Sequence, residues 1–183
     1  MNSMSMYDDI KEVLITEDQI KVRIKELAQQ VDKDYADKQP VFLGILKGCL
    51  QFMIHFLDES KIYSTAEFIK ASSFKGGLQS VGEVEVTPFD FDIQGKDIII
   101  LEDIIDTGET LLKVRDYLLE KHARSVEIAT LLDKPSHRKV VIDVKYVGFE
   151  VPDAFLVGYG LDYAEKYRNL PFVGTLKEEV IKW

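Results

Sequence analysis

The sequence predicts an α/β fold in which a central, mainly parallel sheet is flanked by helices. Three observations carry the prediction. Residues 98–101 form a short β-branched apolar run, the mark of a strand buried on both faces of a parallel sheet. Residues 41–46 and 126–132 are two further runs of that kind. The first two runs each pass through a glycine-bearing turn into a segment whose apolar residues recur at helical spacing, so strand and helix alternate.

At 183 residues the chain is most simply one domain, and folding at this size buries about 70% of the unfolded chain's surface. A hydrophobic fraction of 46% with 30% charged residues belongs to an ordinary soluble globular protein. The net charge of −9 lacks a basic footprint, which argues against nucleic acid and anionic membrane as partners. A phosphorylated substrate stays compatible, because its binding depends on a local cluster. Cys49 is the only cysteine, so one chain builds no disulfide framework and no thiolate zinc site. No apolar run approaches about 18 residues, and residues 1–10 lack the basic-then-apolar form of a signal peptide. The expected compartment is the cytoplasm. There is no internal repeat and no low-complexity tract.

Residues 13–15 read as a short first strand. Thr16 and Gln19 make a capping box for a helix that buries Ile20, Ile24, Leu27, Ala28 and Val31. Pro40 closes the linker, and residues 41–46 read as a buried strand. Lys47-Gly48 follow, then a helix with Leu50, Met53, Ile54 and Leu57 inward. Such a strand–glycine–helix join can offer backbone amides to an anion, although a lysine there is equally at home in solvent. Residues 67–71 have partial strand character, residues 72–80 carry serines and little apolar weight, and residues 84–87 alternate like a returning strand. With Gly76, Gly77 and Gly82 at its tip, this arm is either a plain hairpin or an active-site lid.

The most informative stretch is 97–112, D-I-I-I-L-E-D-I-I-D-T-G-E-T-L-L. Two acids, Glu102 and Asp103, stand between the strand and the turn 106–110, and a helix follows with Leu111, Leu112, Val114, Leu118 and Leu119 on an apolar stripe. Gly108 lets the backbone approach an anion, the hydroxyls of Thr107 and Thr110 can donate, and the helix start presents unpaired N–H groups. The two carboxylates would repel a phosphate. They make sense if they hold hydroxyl groups or a cation such as Mg2+, and a sugar phosphate satisfies both halves. A solvated acidic loop with an ordinary helix cap is the alternative that spacing leaves open.

Residues 126–132 end at Asp133-Lys134-Pro135. A lysine at the carboxyl end of a parallel strand lies on the ligand side of an open sheet, or is simply solvated. Arg138 and Lys139 read as surface charge, residues 147–160 as strand-like and aromatic with Phe149 in the core, and residues 171–183 as a last strand plus a short amphipathic helix.

E-D-I-I-D-T-G-x-T after an apolar strand resembles the phosphoribosyl pyrophosphate (PRPP) motif of the type I phosphoribosyltransferases. The acid at Asp106 resembles the branch acting on 6-oxopurines, since the adenine and orotate branches usually lack an acid there. G-F-E-V-P-D-x-F-L-V-G-Y-G-L-D-Y-x-E-x-Y-R-N-L-P is similar to the C-terminal signature of the hypoxanthine enzymes, and the resemblance spans roughly residues 41–175. It implies a single type I phosphoribosyltransferase domain over 1–183, with a small hood from about 1–20 and 150–183 and a flexible lid hairpin at about 72–83. It implies transfer of the ribosyl phosphate of PRPP to hypoxanthine or guanine with Mg2+, in a homodimer or homotetramer.

Residue by residue, the resemblance makes Leu46, Lys47 and Gly48 a pyrophosphate loop, often with a cis peptide, and Arg168 a second pyrophosphate contact. Glu102 and Asp103 would hold the ribose diol beside Mg2+. Thr107, Gly108, Glu109 and Thr110, with the amides of 106–110, would hold the 5′-phosphate. Asp106 matches the general acid/base at purine N7, and Lys134 the donor to O6. Phe155 would stack on the base, Leu156 would contact its edge through backbone, and Asp162 would sit near the base and a second Mg2+. The lid pair, Ser-Tyr in the family, is Ser73-Phe74 here, which removes a hydroxyl. Two other classes fit less well. A PRPP-sensing nucleic-acid-binding regulator wants basic patches, and a phosphotransfer receiver places its acidic pair near the N-terminus. A xanthine-preferring relative shares the Asp-Thr-Gly turn, but the C-terminal signature favours the hypoxanthine type.

Overall fold

Alternate residues of a strand point to opposite faces, so a continuous apolar strand needs cover on both sides. The computed structural model, which describes residues 5–73, 84–86 and 91–181, supplies that cover with two helical layers. In chain order the elements are β1 (Ile10–Ile15), α1 (Glu17–Asp34), β2 (Val41–Leu46), α2 (Leu50–Glu59), β3 (Thr65–Ser73), β4 (Val84–Val86), β5 (Asp97–Ile105), α3 (Glu109–Glu120), β6 (Ser125–Asp133), β7 (Tyr146–Glu150), β8 (Leu156–Val157) and β9 (Val173–Leu176). The large sheet has the order β4-β3-β2-β5-β6-β7. Its pairings are parallel except at the edge, where β4 runs against β3. A small antiparallel sheet, β1-β9-β8, joins the two ends of the chain and forms the expected hood. No helix among the described residues is long and apolar enough to cross a membrane.

Strand β5 divides the core. Ile98 and Ile100 pack on the side of α3, with Leu111, Val114 and Leu118. Ile99 and Leu101 pack on the other side, among Ile24, Leu27, Phe52 and Phe56 of α1 and α2. Helix α1 buries the five residues expected of it, and its capping box is formed, with Thr16 N–H donating to Gln19 Oε1 at 2.8 Å.

Five expectations are corrected. Helix α2 is turned from the expected phase: Phe52, Met53 and Phe56 are buried, while Leu50 and Ile54 face outward. Its two phenylalanines bury the most surface by turning in, where they meet each other and Phe42 edge-on. The acids Glu102 and Asp103 lie inside β5 rather than after it, because pairing with β6 continues to Ile105 opposite Asp133. The segment 147–160 is split between the two sheets, with Pro152 in the break. After β9 the chain makes turns, closed by Val180 N–H to Lys177 O and Ile181 N–H to Glu178 O, and no amphipathic helix forms in the described residues. The first strand also begins earlier than expected, at Ile10. The expected two-stranded arm is present as β3 paired with β4, in register from Ala71 opposite Val86 to Ser73 opposite Val84; Phe74 and the tip lie outside the described residues.

One ion pair clamps the base of β5. Asp97, 2% exposed, accepts hydrogen bonds from both Nε and Nη2 of Arg124 and from Ser125 Oγ at 2.6 Å. The guanidinium holds the Asp97 carboxyl below its ordinary value. The stability this adds is complete above the ordinary carboxylate range and is lost as the pH falls through the lowered value. Asp97→Ala is expected to cost about 1–3 kcal/mol at pH 7 in urea unfolding, with the difference from wild type shrinking in acid. An unchanged midpoint would mean that solvent around the exposed arginine cancels the pair.

Candidate active site

The chain must turn sharply between the end of β5 and the start of α3. Gly108 makes that turn with φ at +81°, a conformation cheap only for glycine, and a Cβ added there would stand 2.9 Å from Arg138 Cδ. No side chain caps α3, and among the described residues Thr107 Oγ1 accepts from Glu109 N–H alone, at 3.4 Å. The remaining first-turn donors are left for a ligand, with the positive end of the helix dipole behind them. The turn opens on a cleft of about 260 Å³. Asp106, Thr107, Gly108 and Thr110 line one side of it, Glu102 and Asp103 its floor, and Leu46, Gly48 and Arg168 the other side.

The floor is electrostatically unsettled. Burial, and then repulsion from Asp103, push the Glu102 carboxyl well up. Burial likewise raises Asp103, against opposing hydrogen bonds from Glu102 and from the N–H of Ile104 at 2.8 Å. Among the described residues no lysine, arginine or histidine forms an ion pair with either acid, and the more distant charge of Arg168 also opposes the rise at Asp103. Two crowded, desolvated carboxylates of this kind are a hard-oxygen donor set, suited to Mg2+ or to a pair of sugar hydroxyls. No group of three or more such ligands is assembled among the described residues, so Asp162 stands apart from this pair.

Glycine is also required at the facing loop. A Cβ at Gly48 would lie 1.9 Å from Asp103 Oδ2, and one at Gly160 2.0 Å from the carbonyl of Gly48. The loop 46–48, the acid pair and the segment around Gly160 therefore interlock at van der Waals distance. The Leu46–Lys47 peptide is cis. The Lys47 side chain leaves the cleft to pair with Glu165 at 2.6 Å, and the Glu109 side chain is exposed outside it. Arg168 donates from Nη1 to Gly160 O at 2.8 Å and pairs with Asp162 at 2.7 Å, while its buried Nε has no hydrogen-bond partner among the described residues.

Paired acids at a strand end, an amide turn beside them and an interlocked cis-peptide loop are thus assembled in one place. A family model described as a phosphoribosyl transferase domain matches residues 12–164. The chain belongs to the phosphoribosyltransferase family. The hypoxanthine-guanine phosphoribosyltransferase of Staphylococcus aureus strain Mu50 is 48% identical over 176 residues, covering 96% of this chain and 98% of that protein. The protein of the same description from Streptococcus thermophilus strain CNRZ 1066 is 49% identical over 173 residues, 94% of this chain and 96% of its own. A crystal structure of a hypoxanthine phosphoribosyltransferase from Staphylococcus aureus superposes with a TM-score of 0.92 at 48% identity, over 100% of this chain and 99% of that one.

In this phosphoribosyltransferase the residues matched to base binding lie beside the cleft rather than in its wall. Lys134 follows β6 and is 7% exposed, with Nζ donating to Ala154 O at 3.0 Å. Phe155 is half-exposed and meets the Tyr163 ring edge-on, 5.6 Å between centroids. Leu156 is buried in β8. Arg138 is no surface charge: it is largely buried, pairs with Asp133, and its stem backs Gly108. Lys139 is exposed as expected, but its N–H donates to Thr107 O at 3.0 Å and ties the segment after β6 to the turn. Sequence reasoning also passed over His137 and Asp153, which stand against Asp106 and Lys134. No local pattern signals them, because they meet only in three dimensions.

Proposed function

We propose that the chain is a purine-salvage phosphoribosyltransferase that joins N9 of hypoxanthine or guanine to C1 of PRPP and releases pyrophosphate. The reading is carried by one observation: a repelling acid pair and a helix start without a side-chain cap open on the same cleft. The diol of the ribose sits on Glu102 and Asp103, and its 5′-phosphate on the amides of 106–110 with Thr107 and Thr110. Leu46, Lys47, Gly48 and Arg168 face the pyrophosphate. As the C1–pyrophosphate bond breaks and the N9–C1 bond forms, ribose carries oxocarbenium-like charge, so positioning and electrostatics supply most of the catalysis. Glu102 and Asp103, with Asp162 at a second position, would hold Mg2+, which supplies charge neutralisation for the pyrophosphate. Asp106 takes up the proton that N7 releases as N9 bonds to C1, Lys134 donates to O6, Phe155 stacks on the ring and Leu156 meets its edge through backbone. The lid of Ser73 and Phe74 closes the site of a single domain, which works as a homodimer or homotetramer in the cytoplasm.

The test is a product assay with PRPP and Mg2+ against adenine, hypoxanthine, guanine and xanthine in parallel. Hypoxanthine and guanine are expected to give nucleoside monophosphates and adenine none, because a lysine ammonium facing position 6 meets an acceptor in the first two and a donor in adenine. Turnover of adenine at a rate comparable to hypoxanthine would overturn the role of Lys134.

A further inference from the structure

The segment after β6 is fastened to the end of β5. Lys134 N–H donates to Ile105 O at 3.0 Å and Lys139 N–H to Thr107 O at 3.0 Å. Between these two anchors the short 3-10 turn Pro135–His137 carries an imidazole against the mouth of the cleft. His137 Nδ1 lies 2.8 Å from Asp106 Oδ1, and Nε2 lies 3.2 Å from Asp153 Oδ1. Asp153, in the loop between β7 and β8, is in turn 3.8 Å from Lys134 Nζ. The four side chains form one line from Asp106 to Lys134, drawn from three separate segments of the chain.

We propose that His137 is a positioning residue that fixes Asp106 in place for the base and ties it, through Asp153, to Lys134. The inference rests on the reading above, in which Asp106 meets N7 and Lys134 meets O6. Those two atoms are neighbours on one edge of a 6-oxopurine; N7–H of the free base donates to the Asp106 carboxylate and O6 accepts from Lys134, so the groups that read them must hold a fixed separation. Asp106 is half-exposed on a tight turn and by itself would sample several rotamers. Ionised carboxylates only accept hydrogen bonds, so His137 steadies Asp106 by donating from Nδ1, with Nε2 facing Asp153. Arg138, the adjacent cation, is turned away to Asp133 and takes no part.

The amide nitrogen of asparagine falls near the place of imidazole Nδ1, and that of glutamine near the place of Nε2. His137→Asn therefore keeps a donor toward Asp106, and His137→Gln keeps one toward Asp153 only. Both are made in the wild-type chain and in Asp106→Asn, and single-turnover rates and the KM for PRPP are measured with hypoxanthine. His137→Gln is expected to lower the rate about tenfold, the scale of a small misplacement of a reacting group, with the KM for PRPP changed less than about twofold. His137→Asn should recover most of that loss. In the Asp106→Asn background neither change should matter beyond about twofold, since a residue acting through Asp106 has nothing left to act on. Equal losses in both backgrounds, or asparagine no better than glutamine, would overturn the positioning role alone. An Asp106→Asn chain with wild-type turnover would overturn the reading of Asp106 and this inference with it.

Discussion

Asp106→Asn is expected to lower turnover by about 10²–10⁴-fold, the usual weight of a general acid/base, while PRPP binding stays near wild type. The amide has the size of the carboxylate and can still accept from His137 Nδ1, 2.8 Å away, so the turn need not rearrange. What is lost is the capacity to exchange a proton with N7 as the bond at N9 forms. In the proposed binding mode the 5′-phosphate rests on backbone N–H groups and threonine hydroxyls, which the change leaves in place. A single-turnover rate and a PRPP dissociation constant separate the two consequences. A parallel fall in both would mean that the turn itself had collapsed, and an unaltered rate would remove Asp106 from catalysis.

How far such a site can be read without coordinates depends on the range of the forces that build it. Helix α1 was legible because its cap and its stripe of Ile20, Ile24, Leu27 and Val31 are local and amphipathic. Helix α2 was not, since apolar residues surround it on most sides and periodicity could not choose a phase; contacts with Phe42 and the sheet chose it. The turn 106–110 stood out through residue types that an anion site needs together, although an ordinary helix cap can also use them. The acid pair looked like loop, because nothing local reveals that β6 pairs with β5 as far as Ile105. His137 and Asp106 are 31 residues apart, and only the fastening of the segment after β6 brings them into contact. Local chemistry thus marked the turn as a candidate site, and tertiary packing determined how the residues around it are oriented.

The acid pair invites the second large effect, in which function and stability move in opposite directions. Replacing both acids by amides, Glu102→Gln with Asp103→Asn, should weaken PRPP binding by about 10²–10⁴-fold. Two charge-assisted hydrogen bonds to the ribose hydroxyls, at about 1.5–3 kcal/mol each, account for that range. The same change should raise the urea midpoint of the ligand-free chain at pH 7. Both carboxyls are pushed up by burial on folding, so the unfolded chain ionises first. The cost of keeping them in the fold therefore grows as the pH rises from the ordinary carboxylate value through the raised one. Amides carry no such cost, and the gain in midpoint should vanish in acid, where the wild-type pair is protonated. PRPP affinity of the wild type should fall over the same acid range, because the protonated pair no longer attracts hydroxyl donors or a cation. Undiminished PRPP affinity in the double variant would place the ribose diol elsewhere. A midpoint that fails to rise would mean that the folded chain bears no penalty for crowding two carboxylates on the cleft floor.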